Sequence, residues 1–192
     1  MTGATLATGV RELGLALDTE IQDRLMAYRD LLHKWNRSFN LTAVRDPEEM
    51  VVTHLLDALA VVPYLGDPKR PRMIDIGTGA GLPGIPLAIA CPERHWVLLD
   101  SNHKKTTFLR QAAAELRLHN VEVVVARVEA FAPSRLFDVA ISRAFSSLDT
   151  FVAVAMRLLT PIGRALAMKG LAPADEAKIL SGNILRVLPK ST

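Results

Sequence analysis

The segment of residues 73–84, MIDIGTGAGLPG, restricts the possible fold of this chain more than any other part of the sequence. An apolar strand there runs directly into glycines at positions 77, 79, 81 and 84. Glycine lets the backbone turn sharply and approach a ligand with no Cβ in the way. The next residues predict a helix over 82–91, whose first N–H groups lack partners within the helix and can face a polar ligand. A strand, a glycine turn and a helix predict the ligand-binding start of a doubly wound α/β sheet.

The pattern after Arg72 supports that fold, because short apolar segments alternate with helical ones. We predict strands over 73–76, 96–99, 121–126, 137–142 and 165–169. We predict helices over 82–91, 102–118, 147–160 and 173–180. Such alternation is typical of βαβ units, which form a mostly parallel sheet with helices on both faces. The predicted class is therefore α/β with a Rossmann-like, doubly wound sheet.

The first seventy residues have a different pattern, which predicts helices without strands. Asp18 or Thr19 can cap a helix that runs to about Trp35, with apolar residues at helical spacing on one face. The run Asp46-Pro47-Glu48-Glu49 predicts the start of another helix that continues to about Leu65. The segment 66–71, GDPKRP, then breaks the chain. We expect an N-terminal helical extension over 1–70 and a cofactor-binding domain over 71–192.

Composition excludes several classes of protein. A hydrophobic fraction of 49% and a charged fraction of 22% are typical of a soluble globular chain. No apolar run approaches the roughly 20 residues needed to cross a bilayer, and the N-terminus lacks the pattern of a secretory signal. The single cysteine, Cys91, excludes an internal disulfide, and no cysteine or histidine set has metal-binding spacing. We therefore expect a cytoplasmic protein without a metal, while a net charge of +3 does not establish a nucleic-acid partner.

Two carboxylates help to identify the ligand of the glycine loop. The glycines at 79, 81 and 84 also fit the fingerprint of a nicotinamide dinucleotide. Asp75 lies inside the first strand, where its charge would repel a pyrophosphate but would suit a cationic ligand or accept the N–H groups of the loop. Asp100 ends the second strand, where a carboxylate can bind ribose hydroxyls. S-adenosylmethionine is cationic and has no phosphate, so we favour a methyltransferase over a dehydrogenase.

Several longer motifs resemble one family of methyltransferases, the glucose-inhibited division protein B family, or small-subunit ribosomal RNA methyltransferase G group. The motifs are IDIGTGAGLPGIPLAI at 74–89, LLDSNHKKTTFLR at 98–110, ARVE at 126–129, ISRAF at 141–145, AMKG at 167–170, NLTAV at 40–44 and HLLD at 54–57. The resemblance covers roughly residues 20 to 180. It implies a class I methyltransferase fold that binds S-adenosylmethionine and methylates N7 of a guanosine in 16S ribosomal RNA of the small ribosomal subunit.

The resemblance also implies which residues hold the cofactor: Gly77, Leu82, Asp100, Val128, Glu129 and Arg143. To these the loop argument adds Asp75 and Gly79. We expect Arg143 and Lys169 to act as positioning residues for the transfer. Guanine N7 has a lone pair and no proton to lose, so in-line displacement needs alignment and neither a general base nor a covalent intermediate.

Other residues have two possible roles each. His103, Lys104, Lys105, Arg37 and Arg45 are candidates for RNA contacts or ordinary surface cations. Phe145 can stack on a base or belong to the core. His54 and Asp57 lie three apart on one predicted helix and can form a local pair. We expect Cys91, Trp35 and Trp96 to serve packing.

The C-terminal segment departs from the family pattern. Residues 183–188 predict a sixth strand, but its usual hairpin partner is absent from the sequence. We expect a shortened sheet edge and a disordered or displaced sixth strand, in a chain that is either naturally short or a fragment. Two alternatives therefore stay open: an RNA-binding protein of this fold without activity, and a methyltransferase with another substrate. We expect a monomer.

Overall fold

The strands form one mixed sheet in the computed structural model, which describes residues 2–69, 71–143, 147–168 and 184–187. The strands are β1 (Arg72–Ile76), β2 (His95–Asp100), β3 (Val121–Val125), β4 (Phe137–Arg143), β5 (Leu159–Met168) and β6 (Ile184–Val187). Their order is β3-β2-β1-β4-β5-β6, and the pairs from β1 to β5 are all parallel. The chain crosses between strands on both sides of β1, which confirms the doubly wound α/β class.

The sixth strand differs from our expectation. The backbone of Ile184–Val187 pairs antiparallel with residues 165–168 of β5. The expectation of a disordered or displaced segment is therefore wrong for these four residues, which pair with β5 as the last strand of the sheet. The predicted helix over 173–180 lies outside the described residues.

The boundary between the last described helix and β5 also differs from the prediction. We predicted a helix to residue 160 and a strand from 165, but the helix α7 (Leu148–Leu158) is followed at once by β5. Leu159 pairs with Phe137 and Arg164 pairs with Val139, so residues 160–163 bulge opposite Asp138. Pro161 lies in this bulge, where its missing N–H costs no ladder hydrogen bond.

The helical extension contains α1 (Thr2–Glu12), α2 (Thr19–Phe39) and a broken third helix. The Asp18 carboxylate caps α2 by accepting from the Ile21 N–H at 2.8 Å, as predicted, and Asn40 ends it in the left-handed region. The third helix was predicted as continuous over 46–65. It instead consists of α3 (Pro47–Met50), a π-helical turn (Val51–Leu56), α4 (Asp57–Leu59) and a 3₁₀ turn (Val62–Tyr64).

Two buried clusters cover the two faces of the sheet. One joins the extension to α5 (Gly84–Ala90) and α6 (His103–Glu115), and its members include Tyr28, Leu32, Ile85 and Phe108. The other packs α7 onto the opposite face through Phe151 and Leu158. Trp96 is fully buried and Trp35 is half-buried against the first cluster. Among the helices described, none is long and apolar enough to cross a membrane.

Candidate active site

Asp75, near the end of β1, stabilises the glycine loop through hydrogen bonds. Its Oδ2 atom accepts a hydrogen bond from the Thr78 hydroxyl at 2.6 Å and another from the Gly84 N–H at 2.8 Å. The side chain is fully buried, and burial raises the pKa of the carboxyl to about 6 although these two hydrogen bonds lower it. The sequence left two roles open for this carboxylate, and the structure shows that it accepts the donors of the loop.

Gly77 and Gly84 have different reasons to be glycine. Gly77 has φ of +68°, and a Cβ built on it would meet nothing within 4 Å, so this part of the loop faces open space. A Cβ on Gly84 would lie 2.3 Å from Leu98 Cδ2 and 2.8 Å from Asp75 Oδ2. Gly77 therefore leaves room for a ligand beside a backbone of unusual conformation, whereas Gly84 lets the next helix approach the sheet.

Asp100 connects the loop to the start of α6. Its Oδ2 accepts from the Gly79 N–H at 2.9 Å, and its Oδ1 accepts from the Asn102 N–H at 2.8 Å. Asn102 in turn caps α6 by accepting from the N–H groups of Lys104 and Lys105. Each carboxylate oxygen of Asp100 thus uses one acceptor position and retains another for a ligand.

A pocket of about 200 Å³ opens where β1, β2 and β3 end. It is lined by Ile76, Gly77, Leu99, Asp100, Ser101, Ala126, Arg127, Val128 and Glu129. Arg157 of α7 donates to the backbone carbonyls of Glu129, at 2.8 Å, and of Val128, and so holds the last segment of the lining in place. Ligands of open α/β sheets bind at this edge, beside the point where the strand order reverses.

Arg143 lies at the same edge but faces the helical extension. Its Nη1 donates to the Thr53 carbonyl at 3.0 Å and to Asp57 Oδ2 at 3.2 Å, and its Nη2 lies 3.4 Å from His54 Nδ1. A guanidinium can only donate, so His54 Nδ1 is the acceptor and its Nε2 proton is donated to the Thr42 hydroxyl at 2.9 Å. Burial first, and the Arg143 charge as well, lower the pKa of His54 to about 4, so its ring is neutral.

These contacts correct the predicted pair of His54 and Asp57. In the described part of the chain the two side chains do not bond to each other, and both contact Arg143 instead. Burial raises the pKa of Asp57, and the ion pair with Arg143 opposes that rise. The sequence indicated the shared helix side but gave no sign of a partner some ninety residues away.

Tyr28 is a part of the site that the sequence did not indicate. Its hydroxyl, buried in α2, donates to the Ala80 carbonyl of the glycine loop at 2.7 Å. A tyrosine at helical spacing among leucines predicts only a core residue, which Tyr28 also is. The helical extension therefore supports the glycine loop directly.

Comparison with known proteins identifies the family. The sequence profile of GidB, described as rRNA small subunit methyltransferase G, matches residues 21–185. The chain belongs to the GidB family. It is thus an S-adenosylmethionine-dependent rRNA methyltransferase, which confirms the predicted resemblance, enzyme class and cofactor.

Curated relatives of this GidB protein are close over most of its length. The ribosomal RNA small subunit methyltransferase G of Stutzerimonas stutzeri is 54% identical over 175 residues, which are 91% of this chain and 81% of that protein. The protein of the same name from Pseudomonas aeruginosa is 54% identical over 177 residues, with 91% and 81% covered. The shared region includes the glycine loop and the pocket.

Solved structures of lower identity share the fold. A protein-L-isoaspartate O-methyltransferase from Plasmodium falciparum, described as putative and solved in complex with S-adenosyl-L-homocysteine, has a TM-score of 0.57 and 13% identity, covering 97% of this chain and 89% of that chain. TrmN from Thermus thermophilus has a TM-score of 0.52 and 22% identity, covering 76% of this chain and 45% of that chain. These likenesses confirm the Rossmann-like methyltransferase fold.

The predicted cofactor residues of this GidB chain fall into three groups. Gly77, Asp100, Val128 and Glu129 line the pocket together. Asp75, Gly79 and Leu82 belong to the loop beside it; Asp75 and Leu82 are buried there, and the Gly79 N–H is bound by Asp100. Arg143 contacts the extension, and Lys169 lies outside the described residues, as does Phe145.

Cys91 belongs to the buried core that includes α5 and α6. Burial raises the pKa of the Cys91 thiol to about 11, which agrees with the packing role predicted for it. Among the described residues, no cluster of three or more histidine, cysteine or acidic side chains could hold a metal ion.

Proposed function

We propose that this chain transfers a methyl group from S-adenosylmethionine to N7 of a guanosine in 16S ribosomal RNA of the small ribosomal subunit. One observation carries the proposal: a chain of the rRNA methyltransferase G family has its pocket at the carboxyl edge of the sheet, lined by Gly77, Asp100, Val128 and Glu129. The proposal includes a monomeric protein that works in the cytoplasm, where the small ribosomal subunit is found.

The pocket is suited to the adenosine part of the cofactor. The free acceptor positions of Asp100 can bind the ribose hydroxyls, and the open side of Gly77 lets the ligand approach the backbone. We assign Val128 and Glu129 to the adenine, and Leu82 and Gly79 to the loop that covers the ligand. The negative charge of Asp75 beneath this loop favours a cationic ligand over a pyrophosphate.

The transfer itself needs alignment more than proton chemistry. When bound, S-adenosylmethionine supplies a methyl group on a positively charged sulfur. Guanine N7 offers a lone pair and releases no proton, so the chain has to align the base with that methyl group. Arg143 is our main candidate for this alignment, since three of its contacts fix the guanidinium and its other N–H groups can bind the cofactor carboxylate or the target base. Lys169 is the second candidate.

Methyl transfer to the RNA tests this proposal. Labelled S-adenosylmethionine is incubated with the protein and with small ribosomal subunits that lack the modification, and the 16S RNA is then cleaved by borohydride and aniline, which break the chain at N7-methylguanosine. We expect label in 16S RNA and one new cleavage site. Label confined to other molecules, or label without cleavage, would contradict the substrate or the N7 position respectively.

The assay needs a variant that cannot bind the cofactor and a matched control variant that can. Gly77→Asp introduces a charged side chain into the open side of the loop and should abolish both the heat of cofactor binding and the label. Lys69→Gln alters a cation at the opposite edge of the sheet, before β1, and should leave both unchanged.

A second variant tests the proposed role of Arg143. Arg143→Lys keeps the positive charge but cannot donate to Thr53, Asp57 and His54 in the same geometry. We expect kcat to fall about 100-fold, the effect of a misplacement of about 1 Å, with the protein still folded. An unchanged kcat would exclude Arg143 from alignment.

A further inference from the structure

Two segments of the chain carry positive charge without any negative charge. Residues 31–45 and 101–114 contain six lysines and arginines and no aspartate or glutamate. The whole chain has a net charge of only +3, so the rest of it is net negative. None of the six cations forms an ion pair within the described ranges. Unpaired cations concentrated in this way favour an anionic partner.

The packing of α2 against α6 brings these two segments together. Arg24 near the start of α2 donates to the Leu116 carbonyl at the end of α6, at 2.9 Å. Further along α2, the ring of Trp35 lies 5.7 Å from that of Phe108. The two helices are therefore antiparallel, and one turn beyond Trp35, about 6 Å, brings Phe39 level with the first turn of α6.

This end of the helix pair lies beside the cofactor loop. α6 begins just after Asp100, at the carboxyl edge of the sheet. The Lys105 ammonium nitrogen lies 3.9 Å from the position that a Cβ would take on Gly79. The cations at the ends of α2 and α6 thus border the edge at which the methyl group is transferred under the function proposed above.

Phe39 gives this surface an exposed aromatic ring. Helical spacing puts it on the same side of α2 as Tyr28, Leu32 and Trp35, which are buried or half-buried. Phe39 is nevertheless 36% exposed, because it lies in the last turn of the helix. Its ring packs on Trp35 with centroids 4.8 Å apart. One part of the ring is therefore held by the protein while another faces solvent.

We propose that Phe39, with Arg45, Lys104 and Lys105 around it, forms an RNA-docking surface for a single-stranded segment next to the target nucleotide. A base stacks on Phe39, and the cations bind the neighbouring phosphates. Such a combination of an aromatic ring with cations is typical of proteins that bind single-stranded nucleic acid. The inference rests on the proposed function for its partner.

Two hydrogen bonds fix the Arg45 guanidinium in a position from which it can contact a phosphate. Its Nη1 donates to the Asn36 carbonyl at 3.1 Å and its Nη2 to Asn40 Oδ1 at 2.8 Å, so the exposed guanidinium is fixed at the end of α2. A single exposed ring offers too little apolar surface to insert into a membrane. An exposed ring beside cations matches the unstacked bases and the phosphates of a single strand, which favours RNA.

Substitutions of Phe39 test the stacking. Phe39→Ala should raise KM for the RNA about tenfold with little change in kcat and an unchanged Kd for S-adenosylmethionine. Phe39→Trp should restore KM, whereas Phe39→Leu, which keeps apolar contact with Trp35, should not. Tyr64→Ala removes a similarly exposed ring elsewhere on the extension and should leave KM unchanged.

Substitutions of the cations test the phosphate contacts. Arg45→Gln with Lys104→Gln should weaken RNA binding and reduce the slope of log K against log salt by about 0.7 for each lost contact with single-stranded RNA. Lys69→Gln serves as the control at the other edge of the sheet. Heparin is a second probe, because it carries negative charge but has no bases that could stack. If the surface binds any polyanion by charge alone, Phe39→Trp and Phe39→Ala should bind RNA equally well.

The outcomes separate this inference from the proposed function. If the wild-type protein methylates 16S RNA and Phe39→Ala has an unchanged KM, the docking surface is refuted. If the wild-type protein does not methylate RNA, the proposed function fails, and direct binding of a single-stranded RNA to the Phe39 variants still decides the surface. Equal loss of heparin and RNA binding in Phe39→Ala, without recovery in Phe39→Trp, also refutes it. Should Phe39→Ala unfold, Phe39→Leu and Phe39→Trp are compared instead, and equal KM values for these two variants refute stacking.

Discussion

The buried carboxylate of Asp75 predicts how the stability of this protein depends on pH. Its Oδ2 accepts two hydrogen bonds, but its Oδ1 has no partner among the described residues. Burial raises its pKa from 3.8 to about 6, so between these pH values the folded protein binds the proton more tightly than the unfolded chain does. Ionised Asp75 therefore costs stability above pH 6, and the cost disappears as pH falls towards 4. A shift of about two units corresponds to about 3 kcal/mol.

Asp75→Asn isolates this effect, because asparagine has the same shape and does not titrate. Its side-chain oxygen can still accept from Thr78 and Gly84. We expect the free energy of unfolding of the wild type, minus that of the variant, to rise by about 1 kcal/mol between pH 7 and pH 5. Urea unfolding followed by the fluorescence of the two tryptophans, Trp35 and Trp96, measures it. With slopes of about 1–3 kcal/mol per molar urea, the two midpoints should move relative to each other by about 0.5 M.

A control is needed because any lost carboxylate changes the charge of the protein. Asp23→Asn removes one from the exposed side of α2, where it forms no ion pair with any other described residue, and its profile is subtracted. A difference between wild type and Asp75→Asn that stays flat from pH 7 to pH 5, or that falls, would refute the account of Asp75 as a buried, costly charge.

Packing, hydrogen bonding and thiol burial lead to three further predictions. Gly84→Ala, whose Cβ would lie 2.3 Å from Leu98, should lower the free energy of unfolding by about 2 kcal/mol in urea titrations, and no loss would mean that α5 can shift. Tyr28→Phe removes the bond to the Ala80 carbonyl and should cost about 1 kcal/mol and weaken cofactor binding in calorimetry; unchanged affinity would separate the extension from the loop. Cys91, with its pKa raised to about 11, should react with a thiol reagent at pH 8 only on unfolding, and rapid labelling of the native protein would contradict its burial.

Local chemistry explains which features the sequence could predict. Glycines after an apolar strand and a carboxylate at the end of the next one are signals of short range, and Gly77 and Asp100 indeed meet in one pocket. The caps at Asp18 and Asp46 were equally predictable, since each satisfies backbone donors two or three residues ahead.

Contacts between distant segments were not predictable in this way. The ion pair of Arg143 with Asp57 joins residues 86 positions apart, and the hydrogen bond of Tyr28 to Ala80 joins residues 52 apart. Neither has a periodic pattern that marks it. The sequence analysis also missed the π-helical turn at Val51–Leu56, because the spacing of its apolar residues fits a regular α-helix. Only the structure shows that this part of the helix places Thr53, His54 and Asp57 in contact with Arg143.

The helix α2 fixes both the distance between Tyr28 and Phe39 and the directions in which their side chains point. Tyr28 holds the glycine loop, and Phe39, eleven residues later, carries the proposed docking surface. At about 1.5 Å per residue, the rigid helix sets a span of about 16 Å between the two along its axis. In the proposed complex, α2 thus fixes the distance between the methyl donor and the docked RNA. One alanine inserted between Tyr28 and Phe39 would increase this span by only about 1.5 Å but would rotate Phe39 by about 100° away from the docked RNA.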